Sequence, residues 1–273
     1  MAMQISGVTI QGGMNILPAG GAPSPAPYVF QGSNYGYTSG GSTDDSNVRD
    51  VIDKFSFTSD TDATDVGDLT VAKQGVTGQS STTSGYTSAG YDGSSPSNVI
   101  EKFPFASDAN STDVGDVTLS RWAPAGQSST ASGYTSGGDA PPFVDTIDKF
   151  PFASDGNATD VGDLLAGNRT LTGQSSTAHG YTSGGYANTG SVVNTIQKFP
   201  FASDANATDV GDITLAREKS AGQSSTSSGY TSGGYNSATI FDRIDKFPFA
   251  SDSNATDVGN LTMARSLTAG QQY

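Results

Sequence analysis

Cysteine is absent from this chain of 273 residues, and histidine occurs once, as His179. Without cysteine there is no disulfide framework and no thiolate to attack a substrate or hold a metal, and the redox compartment stays open. A single histidine cannot build a zinc cluster. Basic residues are scarce: 13 Lys and Arg stand against 27 Asp and Glu, a net charge of −14. A phosphate backbone is bound through a basic footprint, so nucleic acid is excluded as a partner. No stretch approaches 18 consecutive apolar residues, so no membrane insertion is expected. The N-terminus lacks a basic region followed by an apolar run, so no secretory signal is read there. Apolar residues make up only 34% of the chain, which argues against a helical core.

What the chain has is repetition. The tyrosine of GYTS falls at 37, 86, 134, 181 and 230, in steps of 49, 48, 47 and 49. The Asp that opens DVG falls at 65, 113, 160, 209 and 257, and the Gly of GQ at 78, 126, 173, 222 and 270. A period in this range is the mark of a repeat architecture. Five units of about 48 residues occupy 31–273, and 1–30 stand outside them. Within the third unit, GQSST (126–130), GYTSG (133–137), VDTIDKFPF (144–152) and VGDLLAG (161–167) read as four short strands. Ser, Asp, Gly and Asn fill the reversals between them, where their side chains satisfy local backbone donors. Four strands in fewer than 50 residues leave no room for a helix.

That pattern fits a blade of a β-propeller, a four-stranded sheet set radially about an axis. The fold expected is therefore all-β: a five-bladed β-propeller of four-stranded blades. GQSST is made of small residues, as an innermost strand crowded on an axis requires. The ring is expected to close where GQQY (270–273) and the segment 31–41 share one blade, since each holds part of what a blade needs. Pro104, Pro151, Pro200 and Pro248 sit in the third strand, and Ser56 takes their place in the first unit. A proline donates no ladder bond, so this strand is either the outer edge or ends irregularly there. The Phe residues flanking each proline lie two apart, on one side of the sheet, and are assigned to packing on the neighbouring blade. The Lys that precedes them is assigned to a cross-strand or Asp-turn contact.

A Gly-Gly doublet closing a strand follows an Arg by 16 residues (Arg121 to Gly137, Arg217 to Gly233) and precedes an aromatic (Phe152, Phe249) by about 15. This layout resembles the kelch repeat, with Phe where that pattern has Trp and a polar strand before the doublet. The resemblance implies the propeller and no kelch-type function. The phrases KFPFASDxNATDVGDLT and GQSSTxxGYTSGG, with the opening MQISGVTIQGGMNIL, resemble repeat-containing virion proteins of marine tailed phages, the head or tail appendages. That resemblance implies localisation in the phage particle, otherwise extracellular. It also implies an N-terminal arm that docks on other virion proteins. In the arm, ISGVTI and QGGMNIL put Ile5, Val8, Ile10, Met14, Ile16 and Leu17 forward as docking residues, tethered by a Pro/Gly-rich spacer at 18–28. A homo-oligomer within the particle fits the same reading.

For chemistry, SDANATDVGD (203–212) is rich in oxygen ligands yet lacks the spacing of an EF-hand loop. It reads as turn structure, and no metal or cofactor is expected. His179 sits in STAHGYTSGG, a polar stretch where other units place Ser or Thr residues, so no Ser-His-Asp arrangement is built from it. No catalytic residue stands out from the repeat, and the chain reads as non-enzymatic. What differs between units is the stretch after GYTSGG, at one corner of the expected ring. It carries Tyr91, Phe143, Tyr186, Tyr235 and Phe241, candidate contacts for a host-surface glycan or a protein partner. The expected function is a structural or adhesion protein of a phage virion. The alternatives are a glycan-binding lectin with several weak sites per ring and, further off, a propeller glycosidase.

Overall fold

The computed structural model describes residues 34–43 and 47–268. The arm residues Ile5, Val8, Ile10, Met14, Ile16 and Leu17 lie outside them, as does GQQY. The described residues form no helix and six antiparallel sheets. Five of these follow the repeat. The third is typical: an inner strand Ala125–Ser128, a second strand Ser132–Ser136, a third Thr146–Pro151 and an outer strand Thr159–Asp163, paired in that order. Sheets two, four and five repeat it, and sheet one has the three strands Tyr35–Ser39, Val51–Ser56 and Thr64–Asp68. The sixth sheet is small and was not anticipated. It joins Asn168–Arg169, Tyr186–Ala187 and Ser191–Val192 in the variable corner.

The proline-bearing strand is not an edge strand. Pro151 is its last residue and pairs only toward the second strand, opposite Ser132, while pairing with the outer strand stops at Lys149 opposite Thr159. The missing N–H therefore falls beyond the outer ladder, which is the irregular-end alternative.

The core lies between sheets, not within one. Four apolar clusters are described, and each joins two consecutive sheets. Tyr86, Ile100 and Val117 of sheet two, for example, meet Phe150 and Ala158 of sheet three. The tyrosine of GYTS stacks on the second Phe of the next sheet and tilts against the first. Centroid distances are 4.8 Å for Tyr86–Phe152 and 5.5 Å for Tyr86–Phe150. Burying a large apolar side chain is worth about 1.5–3 kcal/mol, and a good ring pair adds about 0.5–1.5 kcal/mol. This bears out the packing role assigned to the Phe pairs.

Polar contacts run in the same direction. The repeated Lys reaches the turn of the next sheet, as in Lys102 Nζ to Asp155 Oδ1 at 3.0 Å and Lys149 Nζ to Asp204 Oδ1 at 3.1 Å. The turn Asn accepts from the outer strand before it: Asp116 N–H donates to Asn157 Oδ1 at 3.1 Å. The glycine of DVGD is where that turn is received. Gly115 and Gly162 have φ of +149° and +151°, and a Cβ on either would overlap the backbone of the next turn, at Gly156 and Ala205. Only glycine meets both demands. Along the inside, the Gln of GQ donates to the tyrosine carbonyl of the next sheet: Gln79 to Tyr134 O (2.9 Å), Gln127 to Tyr181 O (3.0 Å) and Gln174 to Tyr230 O (3.0 Å). The inner strands of sheets two to five line one polar cavity of about 200 Å³, between Gly78, Gly126, Gly173 and Gly222.

These contacts join sheet one to two, two to three, three to four and four to five. Among the described residues, none of them joins sheet five to sheet one.

Candidate functional site

The repeated groups are used up inside the interfaces. At the most buried point a cation of one sheet meets an acid of the next. Arg121 Nη2 lies 2.7 Å from Asp148 Oδ2, both side chains fully buried, and Arg217 Nη1 lies 2.9 Å from Asp245 Oδ2, again fully buried. Lys73 and Glu101 do the same at 3.1 Å. Burial pulls both Arg pKa values below their ordinary range, with the facing carboxylate opposing the shift. The acid also accepts from the backbone of the preceding outer strand: Thr118 N–H donates to Asp148 at 2.9 Å. Removing one member of such a pair strands a buried charge. These are the groups that hold the sheets together.

His179 opens the second strand of sheet four and sets its ring edge-on to Tyr181, 6.3 Å away. Partial burial, then the nearby Lys198, pull its pKa below the usual imidazole value. The oxygen-bearing side chains of SDANATDVGD are engaged in local and sheet-to-sheet contacts, with Asp204 paired to Lys149. Asp209 Oδ1 accepts from Gly211 N–H at 3.0 Å, and Asn206 Oδ1 accepts from Asp163 N–H at 3.1 Å. Among the described residues no three His, Asp or Glu side chains gather as metal ligands.

The corner is different. In the third unit the position that matches Arg121 and Arg217 is Asn168, and an arginine follows it. Asn168 stays buried and donates from Nδ2 to Gly184 O at 3.1 Å. Arg169 points to the corner, where Nη1 donates to Asp139 Oδ2 at 2.6 Å. Its guanidinium carbon lies 4.8 Å from the Phe143 ring, 5.4 Å from Tyr186 and 5.9 Å from Trp122. Phe143 and Tyr186 meet edge-on at 6.1 Å, and Tyr91 approaches Trp122 at 6.1 Å. The Phe143 loop is pinned by Asn188, which accepts from Phe143 N–H (3.0 Å) and donates to Phe143 O (2.9 Å). All four aromatics and Arg169 are half-exposed. Arg169 Nε is buried without a partner.

Three of the five aromatics picked out in the sequence thus come together, and two do not. Tyr235 sits with Lys219, whose Nζ is 5.6 Å from the ring. Phe241 is half-buried elsewhere, its N–H held by Gly234 O at 2.9 Å. The sequence reading passed over Trp122 and Arg169. Trp122 is the one tryptophan of the chain, and Arg169 directly follows Asn168, which breaks the third repeat; both were visible signals. Rings with exposed faces beside a guanidinium and a carboxylate can stack on the apolar face of a sugar or another planar group and hydrogen-bond its rim. No family model matches the sequence, and no curated protein matches it.

Proposed function

We propose that this chain is a non-enzymatic structural and adhesive protein of a phage particle. In this reading it is a five-bladed β-propeller, held by its N-terminal arm and presenting the variable corner outward. One observation carries it: the repeated polar and aromatic groups are spent on sheet-to-sheet contacts, and what varies is left on the corner loops. A repeated phrase that only builds, with variation confined to an exposed rim, suits a display module.

The blade reading is supported by the cavity shared by four inner strands and by the directional packing of successive sheets. The ring needs one more contact, between a fifth-sheet face and a first-sheet face. The virion setting rests on the resemblance of the repeat and of the opening segment to virion proteins of marine tailed phages. Deleting residues 2–27 tests the setting. The full chain is expected to be found in assembled particles by electron microscopy with a bound label, and the truncated chain to be missing from them. Truncated protein in particles, or full-length protein in none, overturns the reading.

The Arg169 cluster favours a second reading, a glycan-binding lectin. Binding to an immobilised glycan panel that is lost in Phe143→Ala and Tyr186→Ala, with melting temperature unchanged, supports it. A panel with no binding rejects it.

A further inference from the structure

At the corner one backbone pairing recurs four times. It joins the residue after each buried Lys, Arg or Asn to the third residue past the GYTS strand: Gln74 with Tyr91, Trp122 with Asp139, Arg169 with Tyr186 and Glu218 with Tyr235. The backbone is the same and the side chains are not. The second and third pairs are neighbours, since Thr170 N–H donates to Ala123 O at 2.9 Å. Between them they bring rings, a hydrogen-bond donor and an acceptor to one place. The rings are held in position. Trp122 is seated on Gly75, where a Cβ would come within 2.9 Å of its ring. The Tyr186 hydroxyl donates to Gly190 O at 3.0 Å.

The polar pair at the centre has capacity to spare. Arg169 uses Nη1 on Asp139 Oδ2, and its side chain is 31% exposed. Its Nη2 has no partner among the described residues, and neither has Asp139 Oδ1. A saccharide offers the matching groups. The C–H bonds on one face of a sugar ring are drawn to the negative face of an aromatic ring. Its neighbouring hydroxyls each donate and accept, so an arginine donor beside a carboxylate acceptor meets two of them at once. Charge decides the kind of saccharide. Arg169 and Asp139 cancel, and the chain carries a net −14. A ligand carboxylate at Arg169 would lie against Asp139, and like charges brought together cost affinity. The ligand that fits is neutral.

The other two pairs do not repeat the arrangement. Glu218 is buried and occupied, its Oε2 accepting from Thr170 Oγ1 at 2.7 Å, and Lys219 lies over the Tyr235 ring. In the first pair Gln74 supplies neither charge nor ring, and Tyr91 leans toward Trp122 of the second. We infer that the chain carries a single site for a neutral saccharide. Trp122 and Tyr186 are its stacking rings, and Arg169 Nη2 and Asp139 Oδ1 read the hydroxyls. A lectin built on the repeat would have several weak sites, one for each unit, whereas this site arises where the repeat is broken. The inference rests on the lectin reading above and narrows it in number and in charge.

Because Trp122 is the one tryptophan, its fluorescence reports the site directly. The full chain is titrated with neutral probes (cello-, malto-, manno-, galacto- and chito-oligosaccharides) and with acidic ones (sialyllactose and oligogalacturonate), and calorimetry gives the stoichiometry. At least one neutral probe is expected to change the Trp122 emission and to saturate at one per chain, and the acidic probes to do neither. Arg169→Gln should weaken that binding at least about tenfold, the effect of losing a hydrogen bond from a charged donor, at an unchanged melting temperature. Phe143→Ala, on the rim loop, is the second variant should the first melt early, and it too should weaken binding. Tyr235→Ala should leave binding as it is. Binding of acidic probes alone overturns the choice of a neutral ligand. A stoichiometry above one, or binding that both site variants leave intact, overturns the site. In each of these cases the lectin reading stands. No emission change and no heat with any probe overturns the inference and the lectin reading together.

Discussion

The second-to-third and third-to-fourth interfaces occupy the same place in the repeat and solve one problem differently. Both must satisfy the backbone N–H two residues past the DVGD sequence. In the first, Asp148 accepts from Thr118 N–H, and its charge is matched by buried Arg121. In the second, the amide of Gln197 accepts from Leu165 N–H at 2.7 Å, and the cation is replaced by Asn168. A buried position of this kind needs an acceptor, and needs a cation only when the acceptor is charged. The neutral version has a consequence outside the interface. With Asn168 inside, the adjacent Arg169 is free to gather Trp122, Phe143 and Tyr186 at the corner.

The comparison can be broken most forcefully at the charged pair. Arg121→Met strands Asp148 and is expected to cost about 3–5 kcal/mol in denaturant unfolding. Arg121→Asn combined with Asp148→Gln copies the neutral interface and should recover more than half of that loss. If the double variant is as damaged as the single, the two interfaces are not equivalent. The next effect concerns what the interfaces share. Gly173 lies so close to Gly126 O that a Cβ would overlap it, so Gly173→Ala should cost about 1–3 kcal/mol in the same measurement.

Tyr134 sharpens the comparison by pH. Burial pushes its hydroxyl up to about 12 from the ordinary 10.0. The folded chain then holds a proton that the unfolded chain has released, so stability falls as pH rises between about 10 and 12. Absorbance at alkaline pH should show Tyr134 ionising late in wild type, and Tyr134→Phe should flatten that part of the stability profile. The smallest effect belongs to the rim. Lys149→Met removes a partly exposed pair with Asp204 and should change stability by less than about 1 kcal/mol. A larger loss would mean that the turn contacts, and not the buried pairs, hold the sheets.

Period, strand number, the crowding of small residues on the inner strand and the packing role of Phe150 and Phe152 were all readable from residue spacing. They depend on local geometry, which each repeat carries whole. The partner of each group was not readable. Lys149 could have met an acid of its own sheet as easily as Asp204 of the next, and Pro151 fitted an edge strand as well as a strand end. The turn SDANATDVGD read as a reversal, although its Asn and its backbone are received by the sheet before it. Tyr186 was brought beside Arg169 by a sheet of two-residue strands too short to leave a pattern.

The amino-acid order alone settled that this is a repeated, all-β chain with its variation at one corner, because alternation, turn chemistry and period act over a few residues. Only the tertiary structure decided that each sheet hands its groups forward to the next, and that Arg169 and Trp122 belong to the corner. Direction, register between sheets and the angle of each step arise from packing between segments some 48 residues apart, and no local rule carries that information.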